Sequence, residues 1–186
     1  MTDTAEGRAR ADGASESRRP VLIMGIGNLV LQDEGFGVHA VRELAARTDI
    51  DPRIDLLDGG TAGLHLMGWL QNYDRVIVID AALDSLPEGT LRTLKPRFGE
   101  FPPLVTAHEI GLKDVIEALE VTGYCPEVDL VVASVKKYTS LGTTLSPAVA
   151  AAVPGACDAA LALAAGALAA AYGVVNGAEI GACCQC

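Results

Sequence analysis

The stretch Asp74-Arg75-Val76-Ile77-Val78-Ile79-Asp80-Ala81 decides the fold. Val76 to Ile79 are branched and apolar, with no polar alternation. That is the pattern of a strand buried on both faces, in a sheet covered by helices. The run closes on a carboxylate, Asp80. In open α/β sheets, ligands and chemistry gather outside the carboxyl ends of the strands. Asp80 is therefore the first candidate functional residue, and the rest of the chain is read for groups that reach it.

Upstream, Val21 to Gly25 is a second buried strand, followed by the tight turn Gly25-Ile26-Gly27-Asn28. From about Glu34 to Ala46 the spacing of Val38, Val41 and Leu44 predicts a helix, with Asp33 as its N-cap. Ile54 to Leu57 reads as a short strand ending on the turn Asp58-Gly59-Gly60-Thr61, and a helix is expected from about Ala62 to Leu70. Downstream, Leu83 to Gly89 is a loop and Thr90 to Leu94 a more exposed strand. A helix spans about Gly111 to Glu120, and Val128 to Val135 is the last strong strand. Ser146-Pro147 opens a final helical region, Pro147 suiting a first helical position, and Pro154 is expected to break that region in two.

Strands alternating with helices imply a three-layer αβα sandwich on a mainly parallel, twisted sheet. If the strand order is 2-1-3, right-handed crossovers set the second and third strands on either side of the first. The switch point then lies between strands one and three. Glu34 follows the one and Asp80 ends the other, so topology alone brings two carboxylates together. His108, in a loop leading into a later helix, can close over the same edge.

The chain has 186 residues and is 50% hydrophobic, enough for one core, which with only 4% aromatics is built from Val, Leu, Ile and Ala. A net charge of −10 argues against binding nucleic-acid phosphates. The odd count of five cysteines, three of them Cys183, Cys184 and Cys186, is no disulfide framework and suggests a reducing, cytoplasmic setting. No secretory leader is expected, since Arg18-Arg19 is followed by no small-residue cleavage site. The Ala-rich run from about Ala148 to Ala171 raises the membrane question, but its weak apolarity, Pro154 and Asp158 argue against a span. Residues 1–19 read as a disordered arm, 20–172 as the domain and 173–186 as a flexible Cys-rich tail.

Two carboxylates and an imidazole, Glu34, Asp80 and His108, form an O,O,N donor set suited to Ni²⁺ or Zn²⁺ with positions left open. Each residue also has a plain structural reading: a helix-start acid, a loop cap and a structural histidine. His39 and His65 lie within predicted helices and read as structural or surface residues. Gly25-x-Gly27 also suggests a dinucleotide site, but Val30 stands where the third glycine belongs and Asp58 lies beyond the usual spacing. There is no G-x-S-x-G elbow and no P-loop, and nothing singles out Cys125 as a nucleophile.

The motifs Gly25-Ile26-Gly27-Asn28-Leu29-Val30-Leu31-Gln32-Asp33-Glu34-Gly35-Phe36-Gly37-Val38, Asp58-Gly59-Gly60-Thr61-Ala62-Gly63, Val78-Ile79-Asp80-Ala81, Ala107-His108-Glu109-Ile110-Gly111-Leu112 and Leu145-Ser146-Pro147, in this order, resemble the hydrogenase maturation endopeptidases. The resemblance runs from about Val21 to Ala170. It implies a phosphorylase/hydrolase-like sandwich and an aspartic-type endopeptidase. Its partner would be the large-subunit precursor of a [NiFe]-hydrogenase, from which it removes a C-terminal extension. It also implies that Glu34, Asp80 and His108 are the metal ligands and catalytic groups, with Asp58 a weaker candidate beside the cleft. The nickel is implied to arrive with the precursor, although other divalent ions can occupy such a site. Because ligands must be unprotonated, activity is expected to fall at low pH. The rival reading is a non-catalytic nickel-binding assembly factor. Lys136-Lys137-Tyr138-Thr139-Ser140 departs from the proline-and-glutamate pattern of the resembling proteins.

Overall fold

The structure, a computed structural model, describes residues 19–95, 112–123, 126–136 and 141–172. The N-terminal arm to residue 18, His108, Cys125, residues 137–140 and the Cys-rich tail lie outside the described residues. Strands are β1 (Arg19–Ile26), β2 (Ile54–Gly60), β3 (Tyr73–Leu83), β4 (Leu91–Leu94) and β5 (Glu127–Val135). Helices are α1 (Phe36–Ala45), α2 (Met67–Leu70), α3 (Leu112–Val121) and α4 (Pro147–Tyr172). The sheet runs β2-β1-β3-β5-β4, parallel except for β4 against β5.

The unalternating run of β3 is explained by a core on each face of the sheet. Val21, Ile23, Ile77, Ile79, Val131 and Ala133 pack against Phe36 and Leu44 of α1 and Val149, Ala156 and Ala160 of α4. The alternate residues Leu22, Met24, Val76, Val78, Leu130 and Val132 pack against Leu70 of α2 and Val115, Ile116 and Leu119 of α3. The two faces also satisfy crossover handedness. The step from β1 to β2 moves one way across the sheet with α1 on one face. The steps from β2 to β3 and from β3 to β5 move the other way, with α2 and α3 on the opposite face.

Several local expectations are corrected. β2 continues through Asp58-Gly59-Gly60, because β1 still offers it a partner there, with a register shift between Gly25 and Ile26. The expected helix from Ala62 is a 3₁₀ turn, Gly63–Leu66, and a single α turn; Gly63 at φ 50° opens it. α4 is one helix, not two. Pro154 lies inside it at an exposed position, and so does Ala150, whose carbonyl loses its helical donor. By length and composition α4 is apolar enough to cross a membrane. Here its stripe of Val149, Val153, Ala156, Ala160, Ala164 and Leu168 is buried in the core against the sheet and α1.

At the far end of the sheet, Arg75 Nε donates to Asp129 Oδ2 at 2.7 Å, and Arg75 also pairs with Glu127. Asp129 is buried, and that guanidinium is its counter-charge. Arg75→Met is expected to destabilise the fold by about 3 kcal/mol, because it leaves a buried carboxylate without its counter-charge. Urea unfolding at pH 7 measures this, and a variant as stable as the wild type would show the pair to be dispensable.

Candidate active site

Chemistry-bearing residues meet where β1 ends beside β3; Asp80 does not end its strand as expected, because β5 keeps β3 paired as far as Leu83. Register pairs Gly25 of β1 with Ile79 of β3, the residue before Asp80. After Ile26 the chain turns at Gly27 (φ 137°) and enters a 3₁₀ turn, Gln32–Gly35, that carries Glu34. A Cβ on Gly27 would fall well under 3.0 Å from the Glu34 carbonyl oxygen, so only glycine lets this turn fold back so closely. Gly37, in the first turn of α1, lies as tightly on the backbone of Ile79 and Ile26. These two contacts press the Glu34 turn against β3 at Ile79, next to Asp80.

Both carboxylates are buried: Glu34 is 2% exposed and Asp80 3%. Asp80 Oδ1 accepts the Ala81 N–H at 2.7 Å, while Oδ2 accepts no hydrogen bond from the described residues. Burial pushes the Asp80 carboxyl up to about 8, against the opposing pull of the Ala81 N–H, and the neighbouring charge of Glu34 pushes the same way. Burial raises Glu34 as well. The two acids thus compete to stay charged, and at neutral pH the pair retains a proton, chiefly on Asp80. Such a pair can relay a proton to or from a reacting group. It also fits a divalent cation, which would relieve the repulsion between two buried carboxylates supplying hard oxygen donors.

Asp33 is not the helix N-cap. It lies in the 3₁₀ turn, and Gly35 precedes α1 without a side-chain cap. Its Oδ1 instead accepts the Ser146 N–H at 2.6 Å, just before α4 begins at Pro147. An acid suits the positive end of that helix, and the bond ties the Glu34 turn to α4. The paired acids Asp33-Glu34 were visible in sequence; that they serve different partners was not, because Ser146 lies 113 residues away.

Asp58 ends up apart from the buried pair. In register it lies beside Gly25, whose other neighbour is Ile79. Two strand spacings therefore separate it from β3, about 10 Å. It is exposed, accepts the Gly60 N–H at 3.2 Å and pairs with Arg42 at 2.8 Å. His39 on α1 has a buried Nε2 with no hydrogen-bond partner among the described residues; His65 is exposed. Among the described residues no three His, Cys, Asp or Glu side chains cluster as a metal site, and His108 lies outside them.

Comparison with known proteins gives this arrangement its context. The sequence profile of a family described as hydrogenase maturation protease matches residues 38–163. This chain belongs to the hydrogenase maturation proteases. The match contains Asp58, Asp80 and His108 and begins just after Glu34, so Glu34 is placed by geometry rather than by the profile.

Among relatives, the chain is 38% identical to the hydrogenase expression/formation protein HupD of Rhodobacter capsulatus, over 70% of this chain and 64% of that protein. It is 40% identical to HupD of Bradyrhizobium diazoefficiens, over 58% of this chain and 57% of that one. The matches thus span less than two thirds of those two relatives' lengths. Among solved structures, the hydrogenase maturating endopeptidase HybD of Escherichia coli superposes with a TM-score of 0.66 at 34% identity, covering 77% of this chain and 91% of that one. In this family setting, the close-packed Gly27 and Gly37 let the Glu34 turn lie tightly against the strands beside Asp80.

Proposed function

We propose that this chain is an endopeptidase that removes the C-terminal extension from the large-subunit precursor of a [NiFe]-hydrogenase once nickel has been inserted. The observation that carries the reading is the buried Glu34–Asp80 pair at the switch point of a hydrogenase maturation protease fold. Nickel enters as cargo of the precursor and is read by Glu34, Asp80 and His108. A precursor without metal does not relieve the repulsion of the two acids and is held weakly. Asp80, the member that carries the proton at neutral pH, gives that proton up when the nickel-bearing segment docks. A carboxylate of the pair then serves as general base toward the attacking water, or the metal activates that water; both routes use the same residues. The reaction takes place in the reducing cytoplasm.

The test mixes the protein with nickel-loaded and nickel-free precursor and follows the mass of the large subunit. Loss of a C-terminal peptide from the loaded sample alone is the expected result. Binding without shortening would replace the protease with a nickel-binding assembly factor. His108→Ala is expected to lower processing by about a hundredfold or more, as loss of a metal ligand or catalytic group does. Undiminished turnover by that variant would remove His108 from the site.

A further inference from the structure

Five large apolar side chains stand exposed among the described residues: Val30, Leu64, Trp69, Val121 and Leu141. Single exposed apolar residues are ordinary and need no explanation. Their distribution is less ordinary. Val30 lies after β1, Leu64 after β2 and Leu141 after β5, so all three sit in loops leaving the carboxyl edge of the sheet, where Glu34 and Asp80 lie. Trp69 precedes β3 and Val121 precedes β5, which puts those two toward the opposite edge.

Two of the three edge residues are held in place together. Gly142 N–H donates to the Val30 carbonyl at 3.0 Å, and Gln32 N–H donates to the Gly142 carbonyl at 2.9 Å. This isolated parallel bridge, Leu31 with Gly142, fixes Val30 and Leu141 on neighbouring segments, with Val30 just ahead of the turn that carries Glu34. Gln32, within that bridge, is the one non-glycine residue at positive φ among the described residues, at 52°. A strained backbone held by cross-links beside a buried acid pair is the kind of feature retained at ligand clamps. At the same edge Arg42 and Asp58 pair with each other, and Lys136, just after β5, donates to the Leu86 carbonyl. Val30 and Leu141 therefore present an apolar surface next to the turn that carries Glu34, which suits apolar side chains of a peptide.

We infer that Val30 and Leu141, with Leu64 after β2 at the same edge, form an apolar rim that grips apolar side chains of the precursor segment flanking the bond to be cut. This rests on the protease reading above and adds to it the residues that recognise the peptide. Such contacts are made alike in the bound and transition states, so they act on KM.

The test compares steady-state processing of nickel-loaded precursor by wild type, Val30→Ser, Leu141→Ser and the opposite-edge control Val121→Ser. Thermal midpoints and far-UV circular dichroism confirm that each variant is folded, as expected for exposed positions. Each rim variant is expected to raise KM by about tenfold with kcat little changed, in keeping with loss of one partly buried apolar contact, while Val121→Ser matches wild type. Conservative Leu141→Met should restore KM. Rim variants that process as well as wild type, or a Val121→Ser defect as large as theirs, overturn the rim while leaving the protease reading intact. A wild-type protein that shortens no precursor overturns the protease reading, and the rim with it.

Discussion

Asp80→Asn is expected to abolish processing while making the metal-free protein more stable at pH 8. The sign follows from burial. The folded-state carboxyl titrates near 8, well above its ordinary value of 3.8. Between those values the folded protein holds a proton that the unfolded chain has released. Wild-type stability therefore falls as pH rises from about 4 to 8, and below 4 this contribution is fully present. An asparagine cannot charge, so the variant lacks that loss. The ceiling on the difference is about 5 kcal/mol at pH 8, since each pH unit between the unfolded and folded values is worth about 1.36 kcal/mol, and relaxation around the site reduces it. Urea unfolding of chelated protein from pH 4 to 8 measures it, with the two curves diverging as pH rises. Curves that stay parallel would show that Asp80 is charged in the folded protein throughout. The loss of activity has the same origin, since a residue kept against the stability of its own fold is retained for chemistry.

Gly37→Ala is the second large effect, and it acts through the backbone. The added methyl would lie well under 3.0 Å from the carbonyl oxygens of both Ile79 and Ile26. Neither buried strand can yield, so α1 must move out, taking the Glu34 turn with it. A destabilisation of about 3 kcal/mol or more is expected, together with loss of processing. Gly166→Ala is the contrasting substitution. It lies in α4 with open space where its methyl would go, and is expected to stabilise by about 0.5–1 kcal/mol. Thermal unfolding of both variants gives the comparison. A Gly37→Ala protein with wild-type stability would mean that α1 does not rest on β3 at Ile79.

The legible parts of the fold were those whose signal is local. Val76 to Ile79 had to be buried on both sides, and Val38, Val41 and Leu44 had to face inward; each is buried as expected. The order 2-1-3, which crossover handedness allows but does not fix, is the order observed. The less legible parts depended on partners distant in sequence. Asp33 looked like a helix cap because capping is a local rule, yet its carboxylate serves the start of α4. Pro154 looked like a helix breaker because proline removes a donor, yet it lies at an exposed position inside α4, where the loss of one helical bond does not end the helix.

The amino-acid sequence alone determined the alternation of strands and helices, the two-sided burial of β3 and the approach of Glu34 to Asp80. Each of these depends on side-chain polarity and on the handedness of short connections. Only the tertiary structure decided how deeply the two acids are buried, what charge they carry and that Asp58 stands apart with Arg42. Those outcomes depend on glycine-permitted backbone contact and on desolvation, which arise only when segments remote in the chain exclude water together.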